Sequence, residues 1–208
     1  MIFSTIRLGV ITMKLSDKGS VGCVVLAAGN ARRFGANKLG AVLGGKTLME
    51  HALDALPVEA LEAVCVVTQY DAVEALARRR GFGCVRNEHP DEGLSRSVRL
   101  GTEALADRCE AILYLVSDQP LLRRESVLLL LEQFRAYPDC IIAAARDGRR
   151  GNPCLFPARF FPELCALSGD VGGSAVIRAH PEALRLCELP AEELADVDTR
   201  RALEELRG

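Results

Sequence analysis

The chain has 208 residues, with 26 Lys plus Arg against 28 Asp plus Glu, so its formal net charge is −2 and any basic site must be local. That length suits one large domain whose core needs no disulfide or metal support. The longest apolar runs reach about 9 residues, well short of the roughly 20 that a spanning helix requires, and this excludes a membrane span.

Residues 1–20, MIFSTIRLGVITMKLSDKGS, lack the basic start, long apolar centre and cleavage site of a signal peptide. They are expected to form a flexible N-terminal extension, with one folded domain over residues 21–208. From Val21 onward, short β-branched runs alternate with segments of helical period. VGCVVLAA reads as a first buried strand. KTLMEHALDAL follows as a helix stopped by Pro57, and AVCVVTQ as a second strand. DAVEALARRR is a helix closed by Gly81, and GCVRN a short strand. SRSVRLGTEALAD is a helix starting beside Gly93, and EAILYLV a strand ending in the polar tip SDQP. RESVLLLLEQFRAYP is a helix, DCIIAAA and NPCLF are strands, and ALRLCEL alternates before a closing helix, TRRALEELR. This order predicts an α/β domain with a mostly parallel sheet.

Eight cysteines show no CxxC spacing, and most lie in apolar runs such as GCVVL and AVCVV. They read as buried thiols in a reducing cytoplasm. Aromatic content of 5%, with no stacking platform, argues against nucleic-acid binding. His51 lies in a helical pattern, and His89 and His180 each precede a proline. None of them belongs to a Ser-His-Asp or Cys-His set.

Ligands of open α/β sheets bind outside the carboxyl ends of the strands, which directs attention to three segments. The first is AAGNARRFGANK. Ala27, Ala28 and Gly29 allow close approach to the backbone, while Arg33 and Lys38 supply cations for a polyphosphate; the alternative is a plain turn with solvated charges. It matches neither a Walker A loop nor GxGxxG. The second is SDQP, where Asp118 either holds Mg²⁺ or caps the following helix. The third is EGLSRSVRLG, where Gly93, Ser95 and Ser97 either meet a base and ribose or provide a helix cap.

Together these motifs resemble the molybdenum cofactor guanylyl- and cytidylyltransferases, whose loop reads LAAGxSxRxGxxK. Leu26, Ala27, Ala28, Gly29, Arg33, Gly35 and Lys38 fall on that pattern, with Ala31 in place of the usual serine. The resemblance implies a single-domain, Rossmann-like fold of the nucleotide-diphospho-sugar transferase type, with helices on both faces of the sheet. It implies that Arg33 and Lys38 neutralise a triphosphate, that Asp118 binds Mg²⁺, and that Gly93, Ser95 and Ser97 meet the base and ribose. DVDTRRALEEL is similar to the family's DIDTPEDL, which makes Asp198 a second metal ligand, although Arg200 stands where proline is usual. GNPCLFP and SGDVGG look like acceptor-side loops and bring in Gly151, Asn152, Pro153, Asp170, Gly172 and Gly173. Helix capping is the alternative for Asp170 and Asp198.

The implied reaction is attack by an acceptor phosphate on the α-phosphorus of a nucleoside triphosphate. Alanine at position 28, where the guanylyl branch carries glycine, favours CTP, with molybdopterin as acceptor. The implied partners are an apo molybdenum hydroxylase or a maturation chaperone. A guanylyltransferase, a transferase with another phosphorylated acceptor and a non-catalytic maturation factor remain as alternatives.

Overall fold

The computed structural model describes residues 19–29 and 38–207. The expected extension, apart from its last two residues, therefore lies outside the described residues, and so do Arg33 and Gly35.

The first strand, β1 (Val21–Ala27), is apolar along its length because it is paired on both sides and covered on both faces. Its alternate residues Val21, Cys23, Val25 and Ala27 enter one buried cluster, while Val24 enters another. A short hairpin follows, β2 (Val42–Leu43) and β3 (Lys46–Thr47), turned by Gly44 and Gly45. Both glycines have positive φ, 56° and 86°, the backbone that a two-residue hairpin turn demands. The expected helix from Lys46 consequently starts later, as α1 (Leu48–Asp54). Thr47 Oγ1 accepts from the Glu50 amide, and Glu50 Oε2 accepts from the Thr47 amide, which completes a capping box.

The next units follow the sequence pattern: β4 (Ala63–Thr68), α2 (Asp71–Arg79), β5 (Gly83–Arg86), α3 (Leu94–Leu105), β6 (Ala111–Val116) and α4 (Arg124–Ala136). Helix α3 lies directly on β1, since a Cβ at Gly101 would sit 2.4 Å from Val24 Cγ1. The first turn of α3 lies by the carboxyl end of β1, where Leu94 and Ser97 line one cavity with Leu26 and Ala28.

The second half departs further from expectation. β7 (Ile141–Arg146) turns at Asp147 and Gly148, with φ of 52° and 71°, into β8 (Arg149–Pro157). β8 thus begins three residues before the expected Asn152, because the Asp-Gly turn starts the pairing at once. Two short helices, α5 (Phe161–Ala166) and α6 (Ser174–Ala179), precede β9 (Leu184–Glu188) and α7 (Arg200–Glu205). α5 was not expected, and α6 entered only as the helix from Ser174 in the capping alternative for Asp170, since six residues are too few to display a helical period.

The seven-stranded sheet runs β5-β4-β1-β6-β8-β7-β9. Only β8 opposes its neighbours, pairing antiparallel with β6 and β7, while the remaining pairs are parallel. Residues of α1, α2 and α4 fill the cluster on one face, and residues of α3, α5 and α6 fill that on the other. The expected Rossmann-like sheet with helices on both faces is therefore observed. Among the described residues, no helix is long and apolar enough to cross a membrane.

Candidate active site

Four consecutive carbonyls at the end of β1 are held by side chains from the ends of the flanking strands. Leu26 O accepts from Ser117 Oγ at 2.9 Å, and Ala27 O from Thr68 Oγ1 at 3.1 Å. Ala28 O accepts from Gln69 Nε2 at 2.8 Å, and Gly29 O from the Tyr70 hydroxyl at 2.8 Å. The entry to the glycine-rich loop is thereby fixed, and among the described residues other than its chain neighbours none has an atom within 4 Å of the point where a Cβ on Gly29 would stand. Backbone here is open to close approach by a ligand.

Above this strand end is a cleft of about 390 Å³, whose lining includes Leu26, Ala28, Gly29, Lys38, Asp118 and Asp198. Lys38 Nζ lies 2.8 Å from Asp118 Oδ2 and 3.1 Å from Asp198 Oδ1. Desolvation lowers the Lys38 pKa, but the hydrogen bonds and charges of Asp118 and then Asp198 outweigh it, so the value ends above ordinary lysine. The two acidic segments are joined through their backbones as well, since the Val197 amide donates to Asp118 O at 2.8 Å.

Neither carboxylate caps a helix. Helix α4 has Arg123 at its N-cap, and α7 is capped by Thr199, whose Oγ1 accepts from the Ala202 amide. Asp118 Oδ1 is instead buried with no hydrogen-bond partner among the described residues. A buried carboxylate oxygen left in that state costs free energy that a cation would recover. Hard oxygen donors suit Mg²⁺, which is commonly held by one or two carboxylates together with substrate phosphates. Among the described residues, no group of three or more His, Cys, Asp or Glu side chains forms a closed metal site. The residues present thus fit a divalent cation that arrives with its nucleotide.

A second cavity, of about 530 Å³, shares Ala28, Gly29, Leu94 and Ser97 with the first. Gly93 and Asp170 lie on its wall. Gly93 has φ 91°, and a Cβ there would stand 2.5 Å from the Gly169 carbonyl carbon. Glycine is required on both counts. The Ser95 amide donates to Gly169 O at 3.2 Å, and the Leu94 amide to Asp170 Oδ1 at 3.3 Å. Asp170 therefore caps α3 across the fold and not the nearby α6. Ser97 Oγ accepts from Asn87 Nδ2 at 3.0 Å, whereas the Ser95 side chain is buried and lines neither cavity.

Asn152, Gly172 and Gly173 line a smaller third cavity, with Gly151 and Pro153 beside it on β8. Cys154 lies in the same wall, and burial pushes its thiol up to about 11. It is neutral near pH 7 and no nucleophile. All eight cysteines are free, five of them buried, as expected of apolar thiols. His51 bonds to Leu43 O and His180 to Glu163, so neither serves the cleft.

The sequence reading missed Thr68, Gln69 and Tyr70, although a polar run after β4 satisfies the strand-end rule that singled out SDQP. It also passed over Asp196. Gln119 Nε2 donates to Asp196 Oδ1 at 3.0 Å. Burial first, then the charges of Asp118 and Asp198, raise the Asp196 pKa above its ordinary value against the Gln119 hydrogen bond and the charge of Lys38.

A doubly covered, mostly parallel sheet with a lysine and two carboxylates at its carboxyl end is suited to a nucleotide carried with a divalent cation. The family model of the MobA-like NTP transferase domain matches residues 23–184, and the chain belongs to that family. It is 29% identical over 136 residues to a molybdenum cofactor guanylyltransferase of Shewanella sp. strain MR-4, covering 65% of this chain and 66% of that protein. The match thus spans just under two thirds of the relative's length. Among solved structures, Rv0371c of Mycobacterium tuberculosis H37Rv superposes with a TM-score of 0.76 at 22% identity, over 90% of this chain and 97% of that one. Its homolog from Mycobacterium sp. strain JC1 gives 0.75 at 26% identity, over 90% and 94%.

Proposed function

We propose that the protein transfers a nucleotidyl group from CTP to the phosphate of molybdopterin, forming molybdopterin cytosine dinucleotide and releasing pyrophosphate. The observation that carries this reading is the Lys38 ammonium held between Asp118 and Asp198 at the end of β1. An acceptor phosphate oxygen forms a bond to the α-phosphorus as the bond to the β-phosphate bridge breaks, and the electron pair leaves with pyrophosphate. Both reactants are anions, so the protein's task is alignment and charge compensation.

Asp118 and Asp198 would hold Mg²⁺, which supplies Lewis-acid polarisation of the α-phosphate. A manganese complex of Rv0371c, 22% identical to this chain, supports a divalent cation on this fold. Lys38, with Arg33 from the loop outside the described residues, balances the pyrophosphate charge. The backbone from Leu26 to Gly29, with Gly35, cradles the phosphates. Gly93, Ser95 and Ser97 form the base-and-ribose wall, Ser95 through its place in the first turn of α3. Gly151, Asn152, Pro153, Asp170, Gly172 and Gly173 border the acceptor. An apo molybdenum hydroxylase or its chaperone would receive the product.

Ala28 lines both larger cavities, and a methyl there, where glycine would leave more room, supports a pyrimidine and so CTP. The name of the Shewanella relative favours GTP as the second reading. Supplying Mg²⁺, molybdopterin and each of the four ribonucleoside triphosphates, and following pyrophosphate, separates them. Release with CTP alone is expected. Release with GTP alone overturns the cytidylyl assignment, and release with no nucleotide overturns the transferase reading.

A further inference from the structure

Alternate residues of β8, on one face of the strand, line the third cavity, which has a volume of about 90 Å³ and contacts Arg150, Asn152, Cys154 and Phe156. It shares Leu26, Leu94 and Val116 with the nucleotide cleft, so the two are neighbours across one wall. The volume falls well below the roughly 300 Å³ of a whole small-molecule site and is that of a subsite for one group. Arg150 is half-buried at this cavity, and its guanidinium donates to the neutral Ser174 Oγ at 3.2 Å. Among the described residues, no carboxylate lies within ion-pair distance of Arg150, whereas Arg146 on the preceding strand pairs with Asp147. A partly desolvated guanidinium whose partners are the Ser174 hydroxyl and the Cys154 thiol, both neutral, is electrostatically incomplete, and its planar fork matches a phosphate bidentately.

We propose that Arg150 binds the phosphate of the acceptor and so positions the acceptor beside the nucleotide cleft. This rests on the transferase reading above. It assigns a residue that neither the strand-end rule nor the acceptor-loop resemblance picked out. Ser174 orients the guanidinium, and the neutral Cys154 thiol beneath leaves its charge uncompensated until the acceptor enters.

The test compares full-length wild type with Arg150→Met, Arg150→Lys and Arg149→Met, the last being an exposed neighbour. Pyrophosphate release is measured while molybdopterin and CTP are varied separately. Arg150→Met should raise the KM for molybdopterin by about 10- to 100-fold, the equivalent of one charge-assisted contact, and leave the KM for CTP unchanged. Arg150→Lys should recover part of the loss, and Arg149→Met should behave as wild type. An unchanged molybdopterin KM in Arg150→Met, or a parallel rise in both KM values, would overturn the assignment. If wild type itself releases no pyrophosphate, the transferase reading fails, and equilibrium dialysis with inorganic phosphate judges Arg150 separately. Binding lost in Arg150→Met but kept in Arg149→Met supports the phosphate site, and equal binding by the two contradicts it.

Discussion

Lys38 Nζ and Asp118 Oδ2 are 2.8 Å apart, and the same ammonium reaches Asp198 Oδ1 at 3.1 Å, so a lysine occupies the gap between the two proposed metal ligands. Cation and lysine compete for the same carboxylates. Lys38→Met should therefore bind Mn²⁺ without nucleotide about 10-fold more tightly than wild type, as two carboxylates lose the counter-charge they share. Turnover should fall by about 100-fold or more, because the same ammonium is needed by the leaving pyrophosphate. Electron paramagnetic resonance of free Mn²⁺ reads the first effect, and unchanged affinity would show that Lys38 does not guard the site.

Asp196 supplies a prediction in pH. Its carboxyl is raised in the fold by burial and by Asp118 and Asp198, so the folded state binds its proton more tightly than the unfolded chain. The charged form thus costs stability once the pH exceeds the unfolded value of about 3.9, and the full cost is present above the folded pKa. Asp196→Asn removes that cost while keeping an oxygen for Gln119. Its melting temperature should exceed that of wild type at pH 8, and the difference should shrink as the pH falls towards 4. A constant or inverted difference between those limits would contradict the assignment.

The proposed base selection rests on one methyl group. Ala28→Gly should lower the preference for CTP over GTP, measured as the ratio of kcat/KM, by no more than about 10- to 200-fold, the usual worth of a methylene-sized contact. A preference that stays fixed would move discrimination to the wall around Gly93 and Ser97.

Gly93 joins fold and site. A side chain there must adopt φ 91° and also enter the Gly169–Asp170 backbone at 2.5 Å. Gly93→Ala should lower stability by about 2 kcal/mol or more and raise the KM for nucleotide, because the capped first turn of α3 has to shift. Thermal denaturation and nucleotide titration check the two effects. Wild-type values for both would mean that the loop yields without cost.

The parallel half of the fold was legible because each strand is a short apolar run and each helix is long enough to show its period. The Gly44–Gly45 and Asp147–Gly148 turns were equally visible as dipeptides. They were passed over because the runs beside them are short or polar, as in β3 and the start of β8. In the site, Asp118 and Lys38 were readable from their place at strand ends. Their bond to each other was not, since 80 residues separate them in sequence and only the sheet order brings them together. Asp196 and Arg150 escaped for another reason: each stands one or two positions from a residue that a motif already explained, and only burial and the charges around it distinguish it.

Asp118 carries the central claim, being both the partner of Lys38 and the owner of a buried oxygen with no hydrogen-bond partner among the described residues. The direct measurement is pyrophosphate release from CTP and molybdopterin by Asp118→Asn, alongside its thermal denaturation. The account predicts a melting temperature close to that of wild type and a loss of turnover of about 1,000-fold or more, as expected when a metal-binding carboxylate is neutralised. A folded Asp118→Asn protein that turns over at the wild-type rate would contradict it.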